Sequence, residues 1–187
     1  MTLNSILVWL TYWAERVPLP YFVFLGGFIE EIRAPIPTPF IMTTAGILAQ
    51  TQQLGIFYLI LLVILNATGK TIAYAVFYVL ADKAEDLVIG RFGKFLGVTH
   101  QSVESFGKRF SRGWRDDVLI FLSRAVPFIP TLPVSLVAGA VRIHWKSFLF
   151  MSFAGTCVRS ALFMSVGLSG SQYSGNFLQT VREVDHW

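Results

Sequence analysis

Charge is scarce in this 187-residue chain. Only 14% of its residues are Asp, Glu, Lys or Arg, against about 25% in a soluble globular domain. Hydrophobic residues make up 54% and the mean hydropathy is +0.59. A soluble chain of this size has too little interior to hide so much apolar surface, so lipid is the expected solvent. The one cysteine, Cys157, excludes an internal disulfide and a cysteine-built metal site. Lying in an apolar stretch, it reads as a small packing residue. His100, His144 and His186 are scattered, without a metal-ligand spacing such as HExxH, so neither metal nor cofactor is expected. There is no GxSxG elbow, Walker loop, Rossmann fingerprint or nucleophile–base set, and an enzyme is not expected. The net charge of +4 is modest, and the basic residues are not interleaved with a stacking surface. Such charge records membrane topology and headgroup contact and does not point to nucleic acid.

The first 20 residues are not expected to act as a cleavable signal: no basic region precedes their apolar residues, and Glu15 and Arg16 interrupt before any small-residue cleavage site. Ile6 to Trp13 is too short to span. With Trp9, Tyr12, Trp13 and Arg16 nearby, residues 1–18 are expected to form a helix lying at the interface.

Two stretches are long and apolar enough to cross a bilayer, which takes about 20 residues. They are Gly55 to Leu80, interrupted by Asn66 and Lys70, and Phe148 to Leu168, interrupted by Arg159. Two other apolar segments are broken by proline. Pro18 to Ala49 carries Glu30, Glu31 and Arg33, then Pro35, Pro37 and Pro39; Val118 to Val141 carries Arg124, then Pro127, Pro130 and Pro133. Proline removes a backbone donor and clashes with the preceding turn, so neither segment is one straight helix. Broken backbone at membrane depth is tolerated only inside protein or beside a wet cavity. Each segment is therefore expected to be a re-entrant hairpin of two short helices.

The two segments also match each other. Each runs from a charge (Glu30 or Arg124) through a proline cluster to Ala-Gly (Ala45-Gly46 or Ala138-Gly139). A polar linker and a long apolar helix with one buried cation, Lys70 or Arg159, follow. Proline-interrupted segments at corresponding positions of two halves point to a transporter site. The expected fold is all-α: one polytopic membrane domain over 1–187, with two inverted repeats, 19–80 and 118–170, and a polar tail, 171–187. The intervening 81–117 holds Lys83, Arg91, Lys94, Lys108, Arg109, Arg112 and Arg115, so this loop is expected on the cytoplasmic side. Val103, Phe106 and Phe110 recur in it at helical spacing, as in a helix on the membrane surface.

Ionisable groups in apolar segments cost about 2.5–3.5 kcal/mol each to insert and need partners or water. Glu30, Glu31, Arg33, Lys70, Arg124 and Arg159 are the candidates. In a central wet cavity a glutamate is placed to take up and release a proton, because burial disfavours its charged form. Arg124 has the planar fork of donors that suits a phosphate. Half-helix N-termini at the hairpin tips would add backbone donors. The competing reading is a structural Glu30–Arg124 pair pinning the hairpins together, with Glu31 and Arg33 at the interface and Lys70 and Arg159 snorkelling.

Several of these stretches resemble one family. Arg91-Phe-Gly-Lys-Phe-Leu to Phe106-Gly-Lys-Arg-Phe, then Leu122-Ser-Arg124-Ala-Val-Pro127 to Ala138-Gly139, are similar to the DedA family, also called the VTT or SNARE-associated Golgi domain. Glu30, followed by Ala-Pro-Ile-Pro-Thr and Ala45-Gly46, resembles that family's first hairpin. The similarity covers roughly residues 20 to 170. It implies an inner- or plasma-membrane protein with two opposed re-entrant hairpins. The family is linked to undecaprenyl phosphate recycling, phospholipid scrambling and proton-dependent stress tolerance. By position Glu30 matches the family's hairpin glutamate and Arg124 its first hairpin arginine. Two departures stand out: Pro39 replaces an acid and Pro130 a second arginine. The Arg124-to-Pro130 form is closer to the branch that includes eukaryotic scramblases.

The expected function is movement of an anionic lipid or lipid phosphate between leaflets, by a flippase or scramblase, with membrane lipids and protons as partners and a homo-oligomer left open. The alternatives are a proton-coupled carrier of small solutes or ions, and a non-transporting membrane scaffold.

Overall fold

The computed structural model describes residues 17–32, 40–83, 114–127 and 129–184, with side chains described as far as Gly170 and from Asp116 in the second half. Residues 1–16, most of the stretch expected as an interfacial helix, residues 33–39 with Arg33, Pro35, Pro37 and Pro39, and residues 84–113, where a surface helix is expected, lie outside the described residues. All described regular structure is helical: α1 (Leu19–Ile32), α2 (Phe40–Thr51), α3 (Ile56–Lys83), α4 (Trp114–Ala125), α5 (Thr131–Ala140) and α6 (Trp145–Val184). Helix α6 runs through most of the stretch expected as a polar tail.

Two helices, α3 and the Trp145–Gly170 part of α6, are long and apolar enough to cross a membrane. At 1.5 Å per residue, the 28 residues of α3 reach about 42 Å, whereas a hydrocarbon core is about 30 Å. The arms α1, α2, α4 and α5 have 14, 12, 12 and 10 residues. Each covers only about 15–21 Å. Proline sets the break in the second pair. Helix α4 stops at Ala125 before Pro127; Pro130 caps α5 with φ −67°, and Pro133 lies in the first turn, where a missing N–H is tolerated.

The two halves build the same frame. Helix α1 packs on α3 and α4 on α6; the second arms cross over, α2 onto α6 and α5 onto α3, while α3 and α6 pack on each other. Each hairpin therefore straddles the antiparallel long helices, and its own arms hardly touch. Glycines set the close approaches. A Cβ on Gly69 of α3 would strike the Phe24 carbonyl and crowd Phe28 N, and one on Gly155 of α6 would strike the Phe121 carbonyl and crowd Ala125 N.

Both second arms end in the same turn. Gln53 and Arg142 adopt φ 52° and 55°. Leu54 N–H donates to Ala49 O and Ile143 N–H to Ala138 O, while Gln53 and Arg142 N–H donate to Gln50 and Gly139 O. These are matching Schellman caps.

The hairpins come in from opposite ends. The base of the first packs around Leu19, Phe22, Val23, Ile41, Met42, Ala45, Leu62 and Met164. The base of the second packs around Tyr78, Ile120, Ala138 and Phe148. The end of α1 meets the start of α5 between these two apolar clusters.

Candidate functional site

The meeting point collects the buried charges. Helix α1 ends with Glu30 and Glu31, both 4% exposed, in its last turn. Glu30 Oε2 lies 2.9 Å from Lys70 Nζ on α3, and Glu31 Oε2 lies 3.9 Å from the same nitrogen. Glu31 Oε1 also accepts a hydrogen bond from Thr131 Oγ1, at the start of α5. The first hairpin thus touches the second through Glu31, which is an interior residue and does not lie at the interface. Lys70 is likewise held inside by two carboxylates and does not snorkel.

Arg124 is fully buried and serves its own hairpin. Its Nη1 donates to Thr131 O at 2.6 Å and its Nη2 to Ser135 Oγ at 2.7 Å, tying α4 to α5. Its guanidinium stacks on Tyr74 of α3, 3.8 Å from the ring centroid. Arg159, 3% exposed, donates through Nη2 to Val126 O and Ile129 O. Those carbonyls belong to the proline break: the residues four further on, Pro130 and Pro133, have no N–H to give them, and apart from a long bond from Ile129 N–H to Val126 O it is Arg159 that satisfies them.

The expected Glu30–Arg124 contact does not form. The glycine seats show why. Phe24 and Phe28 stand against Gly69 as Phe121 and Ala125 stand against Gly155. In that register Arg124 occupies the place of Gly27, and Glu30 corresponds to Pro127, one turn further on. A Cβ on Gly27 would collide with the Asn66 side chain, whose Nδ2 donates to Ser160 Oγ at 2.8 Å across the α3–α6 contact. One half uses that place to admit Asn66; the other fills it with a cation.

Sequence reasoning missed Thr131, Ser135, Tyr74, Asn66 and Ser160 as members of this network. The spacing of Thr131 and Ser135, four apart at the start of a helix, puts both hydroxyls on one face and was the available signal. Tyr74 had a comparable one, four residues after Lys70.

Among the described residues the cluster formally holds three cations, Lys70, Arg124 and Arg159, against two acids, Glu30 and Glu31. Glu30 Oε1, Arg124 Nε and Arg159 Nε have no hydrogen-bond partner. Buried charge in low dielectric is stable only when paired and hydrogen-bonded, yet the site leaves both donors and acceptors unsatisfied, Glu31 Oε2 and Asn66 Oδ1 among the latter, and its described residues carry one formal positive charge in excess. Among the described residues no three His, Cys, Asp or Glu side chains form a metal-binding group.

Comparison with known proteins agrees with this architecture. The VTT domain family model matches residues 36–169. Two proteins named alkaline phosphatase-like protein, from Lactococcus lactis subsp. cremoris and subsp. lactis, are 32% and 31% identical over 141 residues. Each match covers 74% of this chain and 64% of the relative's own length. No solved structure matches the chain. With two membrane-length helices among the described residues, a proline break between α4 and α5 and a family match across most of its length, the chain belongs to the VTT domain, or DedA, family of all-α membrane proteins.

Proposed function

We propose that the protein moves an anionic lipid or a lipid phosphate between the two leaflets of a cell membrane, as a flippase or scramblase. The observation that carries this reading is the cationic excess at the hairpin tips, Lys70, Arg124 and Arg159 against Glu30 and Glu31, buried between apolar clusters. An uncompensated positive charge in a medium of low dielectric favours an anion. Phosphate suits it, since guanidinium and ammonium donors recognise its oxygens. The lactococcal relatives carry phosphatase in their name, which fits phosphate chemistry without supplying a substrate. In this reading the hairpins are re-entrant, the basic stretch 81–117 faces the cytoplasm, and the acyl tails stay in the bilayer while the headgroup passes.

The described state is closed: none of the five charged residues is more than 4% exposed. Both terminal nitrogens of Arg124 are engaged by Thr131 and Ser135, and Lys70 is engaged by the glutamates. A phosphate therefore has to displace one of these partners. Protonation of Glu30 would loosen Lys70, leaving it only Glu31 at 3.9 Å, and so give the cycle a place to couple to protons.

Closure on every side also favours a second reading, a proton-coupled carrier of small anionic solutes that never opens to lipid. Proteoliposomes loaded with fluorescent phospholipids or a polyprenyl phosphate reporter separate the two. Lipid exchange by the wild type, lost in equally folded Glu30→Gln and Lys70→Met, is the expected result. Absence of exchange for every lipid, with and without a pH gradient, overturns the lipid reading in favour of the solute carrier or a scaffold.

A further inference from the structure

Two side-chain ladders lead away from the charge cluster in one direction. On α3 they are Lys70, Tyr74 and Tyr78, each four residues from the last and all buried. Facing them on antiparallel α6 are Arg159, Thr156, Ser152 and Phe148, spaced three or four apart and likewise buried. Three- and four-residue spacing puts each set on a single helix face. The contact between them carries the hydroxyls of Tyr74, Thr156 and Ser152 and the Tyr74–Arg124 stack. Ser152 Oγ, fully buried along it, has no hydrogen-bond partner. A buried hydroxyl without a partner calls for water or a ligand.

The opposite direction is different. One turn from Lys70, Asn66 is joined to Ser160, and beyond them Leu62, Met42 and Met164 close the interior with apolar side chains.

The polar ladder ends at an aromatic pair. The rings of Tyr78 and Phe148 lie 4.9 Å apart, and the Tyr78 hydroxyl donates to the Ile143 carbonyl. That carbonyl follows the left-handed turn at Arg142, whose side chain pairs with Asp82 at 3.2 Å in an exposed position. Outside the pair stand exposed Lys83, Arg142, His144, Trp145 and Lys146. The matching turn of the first half, Gln52-Gln53-Leu54-Gly55-Ile56, bears no charge. Acids share this end, Asp82 on Arg142 and Asp117 accepting from Ser147 Oγ, so the exposed Lys83 and Lys146 mark it as charged where the other end is neutral but give it no single sign.

We propose that the buried charge cluster is reached from the end carrying Lys83, Arg142 and Lys146, through a gate formed by Tyr78 and Phe148 and held shut by the Tyr78–Ile143 hydrogen bond. The route rests on the anion-moving reading for its purpose; its geometry does not, and its test needs no transport.

The experiment is side-specific labelling with a membrane-impermeant maleimide in vesicles, in a Cys157→Ala background that leaves no native thiol. Lys146→Cys marks the basic end and Gln52→Cys the opposite end, both positions being exposed. Ser152→Cys, nearly isosteric, reports the path. The expected result is slow labelling of Ser152→Cys from the Lys146 side only. Tyr78→Phe, which keeps the ring and removes the bond to Ile143, should speed it about fivefold, the shift in an opening equilibrium from losing one net hydrogen bond. Labelling from the Gln52 side, labelling from both sides, no labelling, or a rate unmoved by Tyr78→Phe overturns the gate. Side-specific labelling without lipid exchange would keep the gate and sink the lipid reading.

Discussion

Glu31 and Thr131 stand a hundred positions apart in the chain, and the hydroxyl of one donates to the carboxylate of the other where the hairpin tips meet. The same threonine offers its carbonyl to Arg124. Acid and arginine from the two halves are therefore joined through Thr131 and make no direct pair. Thr131→Val keeps the shape and removes the donor, leaving a buried carboxylate oxygen short of a partner. The expected loss is about 1–3 kcal/mol, read as a lower melting midpoint in detergent, with Thr131→Ser close to wild type.

Lys70 is shared, and its partners are not equivalent. Glu30→Gln leaves Lys70 with Glu31 at 3.9 Å, whereas Lys70→Met strands both carboxylates. Breaking a buried pair costs about 3–5 kcal/mol, so Lys70→Met should reach that range and Glu30→Gln fall below it. The double variant should be more stable than Lys70→Met alone. A thermal double-mutant cycle checks the order; equal losses would argue against the sharing.

Arg124→Lys should behave as a disruptive change. One ammonium cannot reach Thr131 O and Ser135 Oγ in the fork's geometry while stacking on Tyr74. A loss of about 2–4 kcal/mol is expected, measurable by thermal unfolding, and Tyr74→Leu should reproduce the stacking part, about 1–2 kcal/mol.

If the two halves share one frame, their glycine seats should be equally intolerant. Gly69→Ala and Gly155→Ala each drive a methyl group into a backbone carbonyl, costing about 1–3 kcal/mol as overpacking does. Gly170, with nothing within 4 Å of an added Cβ, is the control. Its change to Ala should be neutral or stabilising by up to about 1 kcal/mol. Comparison of the three melting midpoints tests the internal symmetry without any assay of function.

Much of this architecture was legible in the chain. The run from Gly55 to Leu80 matches α3, because an apolar stretch of that length has one way to satisfy its backbone in lipid. Pro127, Pro130 and Pro133 mark the break between α4 and α5, because a missing donor acts locally. The Ala-Gly pairs announced the repeat: Gly46 meets the Met164 carbonyl of α6 and Gly139 the Tyr78 carbonyl of α3. The partners were not legible. Glu30 and Arg124 look equivalent because each precedes a proline cluster and then an Ala-Gly pair, yet packing registers the halves on Gly69 and Gly155 and sets the two charges one turn apart. The four-residue spacing of Thr131 and Ser135 puts their hydroxyls on one helix face, but it does not say that Glu31 and Arg124 are what they meet.

The sequence by itself determined that the chain is helical, membrane-embedded and twofold, since length, hydropathy and proline act through local physics. Only the tertiary structure decided that Lys70 takes both glutamates, that Arg124 and Arg159 hold the second hairpin, and that Thr131 joins the halves. The physical reason is that a buried charge must find its counter-charge and donors wherever close packing brings them, and that register is set by side chains meeting across helices distant in the chain.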